Sequence, residues 1–390
     1  MANTLTAVEP ILYEALDVVS REIVGFIPAV SRDSNAERAA KGQTITYPVV
    51  PTISSENITP GVNPADSGDQ TIGSGTMTIS KAKAAPIRWN GEEQRYLSTG
   101  DSPQVRNILR DQFSQAFRVL VNEVESDLAA LYKDAARAYG TAGTLPFNTA
   151  NDMSDIAQLA AVLDEKGAPR AGRKLVLSTA SIANLKGKQP GLFNVDAAGT
   201  AETLRDGFVG RLMGFDLYDS GQIGIHTAGT EASATTSNAG FAAGATTIAL
   251  ASAGTGTIVA GDVVEFATEN AGLKYVVKTG DTDVSNGGNI VLNGSGLKYA
   301  IGAATRAITT SANYVPNLAF SSNAIQLVTR VPAMPEGGDS ADDVTIIEDP
   351  VSGLVFQVAV YKQYRQVKYE VGLAWGVEMV KPDHAVILLG

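Results

Sequence analysis

The chain contains no cysteine, so disulfides, thiolate metal sites and cysteine nucleophiles are excluded. Histidine is nearly absent. His226 and His384 stand far apart in sequence, which rules out a histidine-rich metal cluster and leaves any Ser-His-Asp triad to one of these two. No run of about 18 apolar residues occurs, so no membrane-spanning helix is expected. The opening MANTLTAVEP lacks the basic-then-apolar pattern of a signal peptide, and a product made in the cytoplasm is expected. No Walker loop, G-x-G-x-x-G after a strand, G-x-S-x-G or HExxH is found; the glycines punctuate turns and do not cradle phosphates. Basic charge is also in deficit, with 30 Lys and Arg against 41 Asp and Glu, a net charge of −11. That balance argues against a protein whose main work is gripping nucleic acid over a broad surface, although it allows proximity to DNA.

What is present begins with apolar mass: 44% of the 390 residues are hydrophobic, enough for two or three cores. One stretch organises the rest. From Ser102-Pro103 to Gly140, residues Val105, Leu109, Phe113, Phe117, Leu120, Val121, Val124, Leu128, Leu131 and Tyr132 recur at spacings of three and four. That is one face of an amphipathic helix roughly 55 Å long at ~1.5 Å per residue. Ser102 is its expected N-cap, Pro103 its first residue and Gly140 its C-cap. The opposite stripe, with Arg106, Arg110, Asp111, Asn122, Glu125, Ser126 and Lys133, reads as solvated, so the helix should lie across a sheet.

Before it come a helix over about 10–24 and two strands, 43–51 and Thr76 to Ala84, joined through a polar stretch from Ser54 to Gly75. This is a long hairpin, marginal unless a second body supports it. Glu92 and Glu93, with Arg88 and Arg95, read as a solvated or subunit-facing turn and not as an acid pair in an active site. After the helix, Asp152 to Lys166, Lys174 to Ser178 and Thr179 to Leu185 read as helix, strand, helix, with Thr179 capping the second helix: an α/β layer. A loop follows over 187–209, with one helical turn at Ala201 to Arg205, and then a strand into a turn over Gly210 to Ser220.

From Thr227 to Ser311 the composition shifts to Gly, Ala, Thr, Ser and Asn. Short apolar runs at 247–250, 263–266, 275–277, 290–292 and 307–309 indicate a small inserted β module. Its loop with Asp281 and Asp283 lacks the downstream glutamate of a calcium hand and reads as an exposed tip. Longer strands close the chain: 324–331, 344–347 and a ribbon over 355–371. There Tyr361, Lys362, Tyr364, Arg365, Lys368 and Tyr369 mix bases with aromatics, but on both faces, as on a partly solvated strand.

This order of elements resembles the major capsid proteins of tailed phages with the HK97 fold, and the insertion points to P22-like coats. Gly210-Arg211-Leu212-Met213-Gly214-Phe215 before the insertion, Gly261-Asp262-Val263-Val264-Glu265-Phe266 within it and Asn317-Leu318-Ala319-Phe320 after it look like their counterparts in that family. The resemblance implies an α+β, HK97-like capsid fold. Residues 1–38 would be the N-arm, 39–100 the extended loop, 101–150 with 312–390 the peripheral domain with its spine helix, 151–226 the axial domain and 227–311 an inserted small β-barrel domain.

It further implies a non-enzymatic coat protein, free of cofactors and metals, that forms hexamers and pentamers of an icosahedral head shell around packaged double-stranded DNA. The DNA would be held without sequence specificity and no membrane would be involved. Scaffolding protein, portal and a decoration protein are the expected partners, and the virion the expected location. Lys81, Lys83, Glu92, Glu93, Asp281 and Asp283 are the candidate inter-subunit contacts. No Lys-Asn crosslink is expected, because no acceptor or catalytic glutamate matches Lys81 or Lys83. The alternatives are an encapsulin-like nanocompartment shell and an enzyme using Glu123 and Asp127, four apart on the helix.

Overall fold

The computed structural model describes residues 12–16, 25–49, 60, 72–98, 103–189, 210–349 and 352–390. Most of the polar stretch 54–75, the N-cap Ser102 and the helical turn expected at 201–205 lie outside them. Of the N-terminal helix expected over 10–24, residues 12–16 are described and are helical.

The organising helix is α3 (Pro103–Ala130), preceded by α1 (Phe26–Ala29) and α2 (Gly91–Ser98). Phe113, Phe117, Leu120, Val121, Val124 and Leu128 on its apolar stripe are buried. They face the first sheet, in which β1 (Ser31–Ala39), β15 (Ile325–Pro332), β18 (Gln366–Met379), β17 (Val355–Gln363) and β16 (Asp343–Glu348) follow in that order. β4 (Lys81–Asn90) pairs with β18 from Asn90↔Gln366 to Lys81↔Trp375. Alternation along these strands sends Ile87, Trp89, Tyr369, Val371, Leu373 and Trp375 into the core with the helix. Phe117 meets Phe356 edge-on at 5.0 Å, and Phe113 meets Tyr369 likewise at 5.6 Å. Arg88, Lys368 and Tyr361, which lie opposite one another in register, take the other face.

The helix stops at Ala130, ten residues before Gly140. Leu131–Asp134 tighten into a 3₁₀ turn, and Arg137–Tyr139 become strand β5. The cause is non-local: β5 is hydrogen-bonded in parallel to β19 (Ala385–Leu389) and antiparallel to β11 (Lys274–Thr279). Gly140, at φ +98°, turns the chain after a strand and caps no helix.

β5 sits inside an eleven-stranded sheet that runs through two bodies. On one side of it are β19, β14 (Pro316–Ser321), β6 (Arg173–Ser178), β8 (Phe215–Ser220) and β7 (Arg211–Leu212). Here α4 (Ser154–Glu165) and α5 (Thr179–Lys188) bury Ile156, Leu159, Leu163 and Leu185 against Leu175, Leu177 and Phe215. Ser178, and not Thr179, is the N-cap of α5, its Oγ accepting from Ser181 N at 3.3 Å. β14 and β19 come from the terminal stretch 312–390, so that stretch is shared between both sheets.

On the other side lie β11, β10 (Val263–Phe266), β13 (Ile308–Thr310), β12 (Gly288–Leu292) and β9 (Thr247–Leu250). Residues 234–237 bond to Arg306 and Ile308 on one side and to Ala249 and Ala251 on the other, which closes a small barrel around Phe266, Tyr275, Val277 and Ile290.

β2 (Thr44–Val49) and β3 (Gly73–Thr78) pair only with each other, from Thr44↔Thr78 to Val49↔Gly73. The strand expected over 76–84 breaks at Ile79 and Ser80, where Ser80 N donates to Trp375 O at 3.0 Å. A Cβ on Gly376 would lie 2.3 Å from Thr78 O, so only glycine lets the hairpin base cross β18 there.

Candidate functional site

The two histidines do not build a hydrolase. His226 is buried at the base of the barrel, its Nε2 2.9 Å from Asp262 Oδ1 and its Nδ1 2.9 Å from the Tyr132 hydroxyl. Asp262 also accepts from Val259 N and Gly229 N, and the Tyr314 hydroxyl donates to Gly261 O. Burial pushes the Tyr132 hydroxyl up to about 12, with the Asp262 charge adding to it, and lifts that of Tyr314 far above its ordinary value. The group contains no serine nucleophile, and His226, Asp262 and Tyr314 are sealed from solvent. It joins the end of the helix to the entry, interior and exit of the insertion. His384 closes a 3₁₀ turn before β19, and burial lowers its pKa.

The helix carboxylates Glu123 and Asp127 are bound within the chain. Lys81 Nζ lies 3.1 Å from Glu123 Oε1 and 2.7 Å from Asp127 Oδ1, Lys83 also reaches Glu123, and Trp375 Nε1 donates to Asp127 Oδ2 at 2.9 Å. Burial alone would raise the Glu123 carboxyl, but hydrogen bonds from Lys83 and Lys81 outweigh it and hold it below the usual range. Asp127 is the main cause that raises Lys81. This clamp fixes β4, just beyond the hairpin, to α3, and pairs Lys81 and Lys83, singled out as contacts to a neighbour, with carboxylates of their own helix. Register explains it: they share the sheet face of Trp375 and Leu373.

Glu93 is also occupied internally. Its N–H donates to Asn90 Oδ1 at 2.7 Å and its carboxylate accepts from Asn90 N at 3.0 Å, a reciprocal capping box that starts α2 where a turn was expected. Glu92 beside it is exposed. Asp281 Oδ1 accepts from Asp283 N, and Asp283 caps the 3₁₀ turn Val284–Asn286 through Ser285 N, Ser285 Oγ and Asn286 Nδ2. Their loop is therefore satisfied by its own donors. Among the described residues no group of three His, Asp or Glu side chains could hold a metal, and no helix is long and apolar enough to cross a membrane.

Sequence reasoning placed Glu125 on the solvated stripe, and the structure buries it. Its oxygens accept from Phe26 N at 2.6 Å and Ile27 N at 3.1 Å, so the helix carries the cap for α1. Burial raises its pKa, against the lowering effect of those hydrogen bonds. A Cβ on Gly25 would stand 1.7 Å from Glu125 Oε1. The sequence signal was Gly25 before an apolar run, which carries meaning only once the partner is known.

No family model matches the chain, and no curated protein matches it in sequence. Among solved structures, it is similar to a chain of Mycobacterium phage Che8 at 12% identity and a TM-score of 0.43, over 90% of this chain and 85% of that one. The capsid of cyanophage P-SCSP1u matches at 12% identity and a TM-score of 0.46, over 94% and 88%. A virus-like particle from Pyrococcus furiosus matches at 11% identity and a TM-score of 0.40, over 97% of each chain.

Proposed function

We propose that this chain is a major capsid protein, many copies of which assemble into the closed icosahedral head of a tailed phage around double-stranded DNA. The observation that carries this reading is the β2–β3 ribbon. It belongs to neither large sheet, and its buried anchors Met77 and Ile79 lie at its base. A two-stranded ribbon is marginal alone, and a neighbouring subunit beneath it supplies the missing burial. A contact repeated from every copy to its neighbour closes only through symmetry, which suits hexamers and pentamers of a shell. The role is structural: the buried His226 network and the clamped Glu123 and Asp127 serve architecture. The net charge of −11 suits a wall that holds packaged DNA without gripping it.

On this reading Lys81, Lys83, Glu92, Glu93, Asp281 and Asp283 are the candidate contacts to neighbours, and scaffolding protein, portal and decoration protein the candidate partners. The test shortens the ribbon, replacing residues 46–76 by an Asn-Gly turn that suits a two-residue hairpin and leaves Thr44 opposite Thr78 and Ile45 opposite Met77. The expected result is a folded monomer with unchanged helical circular dichroism that no longer closes shells. Normal shells from this variant would overturn the reading.

A further inference from the structure

The strand pair that joins the insertion to the body, β5 with β11, is held differently on its two faces. It is short, with Lys274 opposite Ala138 and Tyr275 opposite Arg137. Side chains alternate along β5: Ala138 enters the core beneath α3, and Tyr139 packs on the cluster of α4 and α5, so Arg137 shares the α4 side.

On the α3 side the join is sealed. Val263 and Val276 of the insertion lie in one apolar core with Val124, Leu128 and Tyr314 of the body. The Tyr132, His226 and Asp262 side chains beside them all find partners, and Asn293 Nδ2 donates to Lys133 O at 2.6 Å.

The α4 side has no such weld. The apolar cluster of the barrel and that of α4 are separate, so no shared core spans this face. Polar pairs on the rim bridge it: Lys298 Nζ lies 2.8 Å from Glu165 Oε1, and Asp383 Oδ1 accepts from Ser295 N at 3.1 Å and Ser295 Oγ at 2.9 Å. Partly solvated pairs of this kind hold weakly and are screened by salt. Beneath them Arg137 is only 3% exposed. Its Nε donates to Lys274 O at 3.1 Å and its guanidinium lies 4.5 Å from the Tyr275 ring centre, but Nη1 meets no acceptor among the described residues. A buried donor without an acceptor works against the closed arrangement, and contact with solvent relieves it.

We propose that the barrel tilts as one body about the β5–β11 pair, opening and closing against α4 while its α3 side stays joined. Closed, the Lys298–Glu165 pair and the Ser295 bonds act as a latch; open, the Arg137 guanidinium is hydrated. The tilt belongs to the single chain and does not rest on the shell reading.

The chain has no cysteine of its own, so spin labels can be placed at will. One pair, Ala161→Cys with Ala300→Cys, spans the latch; the other, Ser126→Cys with Thr227→Cys, spans the joined side. All four positions are exposed. Distances measured by pulsed electron resonance should show two populations for the first pair and one narrow population for the second. Raising salt, or Lys298→Met, should increase the longer-distance fraction of the first pair several-fold. Arg137→Met, which keeps a stem against Tyr275 and removes the unpartnered donor, should decrease it several-fold with circular dichroism unchanged. Opposite shifts from the two variants distinguish a hinge from general loosening, and the salt series decides the matter alone if Arg137→Met does not fold. A single narrow distance across the latch at every salt concentration overturns the proposal. So does a second distance that appears equally for both label pairs, or one that Arg137→Met makes more frequent.

Discussion

Glu125 shows how one buried carboxylate ties a distant segment to the organising helix. Its two oxygens satisfy the N–H groups of Phe26 and Ile27, donors that a four-residue helix cannot satisfy itself. Gly25→Ala would drive a methyl into that carboxylate, and a loss of about 1–3 kcal/mol by denaturant unfolding is expected, the usual cost of an unmade buried hydrogen bond. The folded-state pKa of Glu125 is raised, so its contribution to stability is fully present below the unfolded carboxyl value of about 4.3 and is lost as pH rises through the raised value. Glu125→Gln cannot titrate. The unsubstituted chain should therefore lose stability relative to this variant as pH climbs from about 4.3 towards neutral; parallel unfolding curves across that range would contradict the assignment.

At the level of elements, the lysine clamp holds β4, the strand that continues from the hairpin, against α3. Glu123 is held below its usual range, so its share of the clamp is present above the unfolded carboxyl value and is lost as pH falls through its lowered one. The raised Lys81 behaves oppositely, contributing below its unfolded value and losing that contribution at strongly alkaline pH. Lys81→Met should cost no more than about 1 kcal/mol globally, because the pairs are partly solvated, yet speed hydrogen exchange at Met77 to Ile79 several-fold. Unchanged exchange there would show that the hairpin base is held by packing alone.

Elements also mark how far the sequence could be read. The barrel strands at 247–250 and 263–266 were legible because short apolar runs between glycines have few other uses. The end of α3 was not, since 135–139 keep a helical pattern and leave it only because β19 and β11 claim their backbone. Helix α2 carried a signal in Asn90 and Glu93, spaced as a capping box, but Gly91 and a weak apolar pattern hid it. Glu125 and the Lys81 clamp depend on partners 40 or more residues away and leave no local mark.

Across the whole molecule, the insertion is both a separate core and a continuation of the body. Its barrel has its own hydrophobic cluster, while β11 pairs with β5 and the Tyr132–His226–Asp262 network binds it to the helix end. Replacing residues 227–311 by a short linker should therefore keep most of the helical circular dichroism but lower the melting temperature, because it removes β11 from beside β5 and leaves His226 without Asp262. A melting temperature equal to that of the intact chain would show that the junction contributes nothing.

The ribbon of β2 and β3, which pairs with neither large sheet, suits a subunit whose surface is completed by copies of itself. Sedimentation velocity of the purified chain over a range of concentrations, with negative-stain images of the fast fraction and with scaffolding protein added where the chain alone stays slow, tests this most directly. The account predicts closed, regular shells or the curved sheets and spirals of the same lattice. A monodisperse monomer at every concentration, with and without that partner, would contradict it.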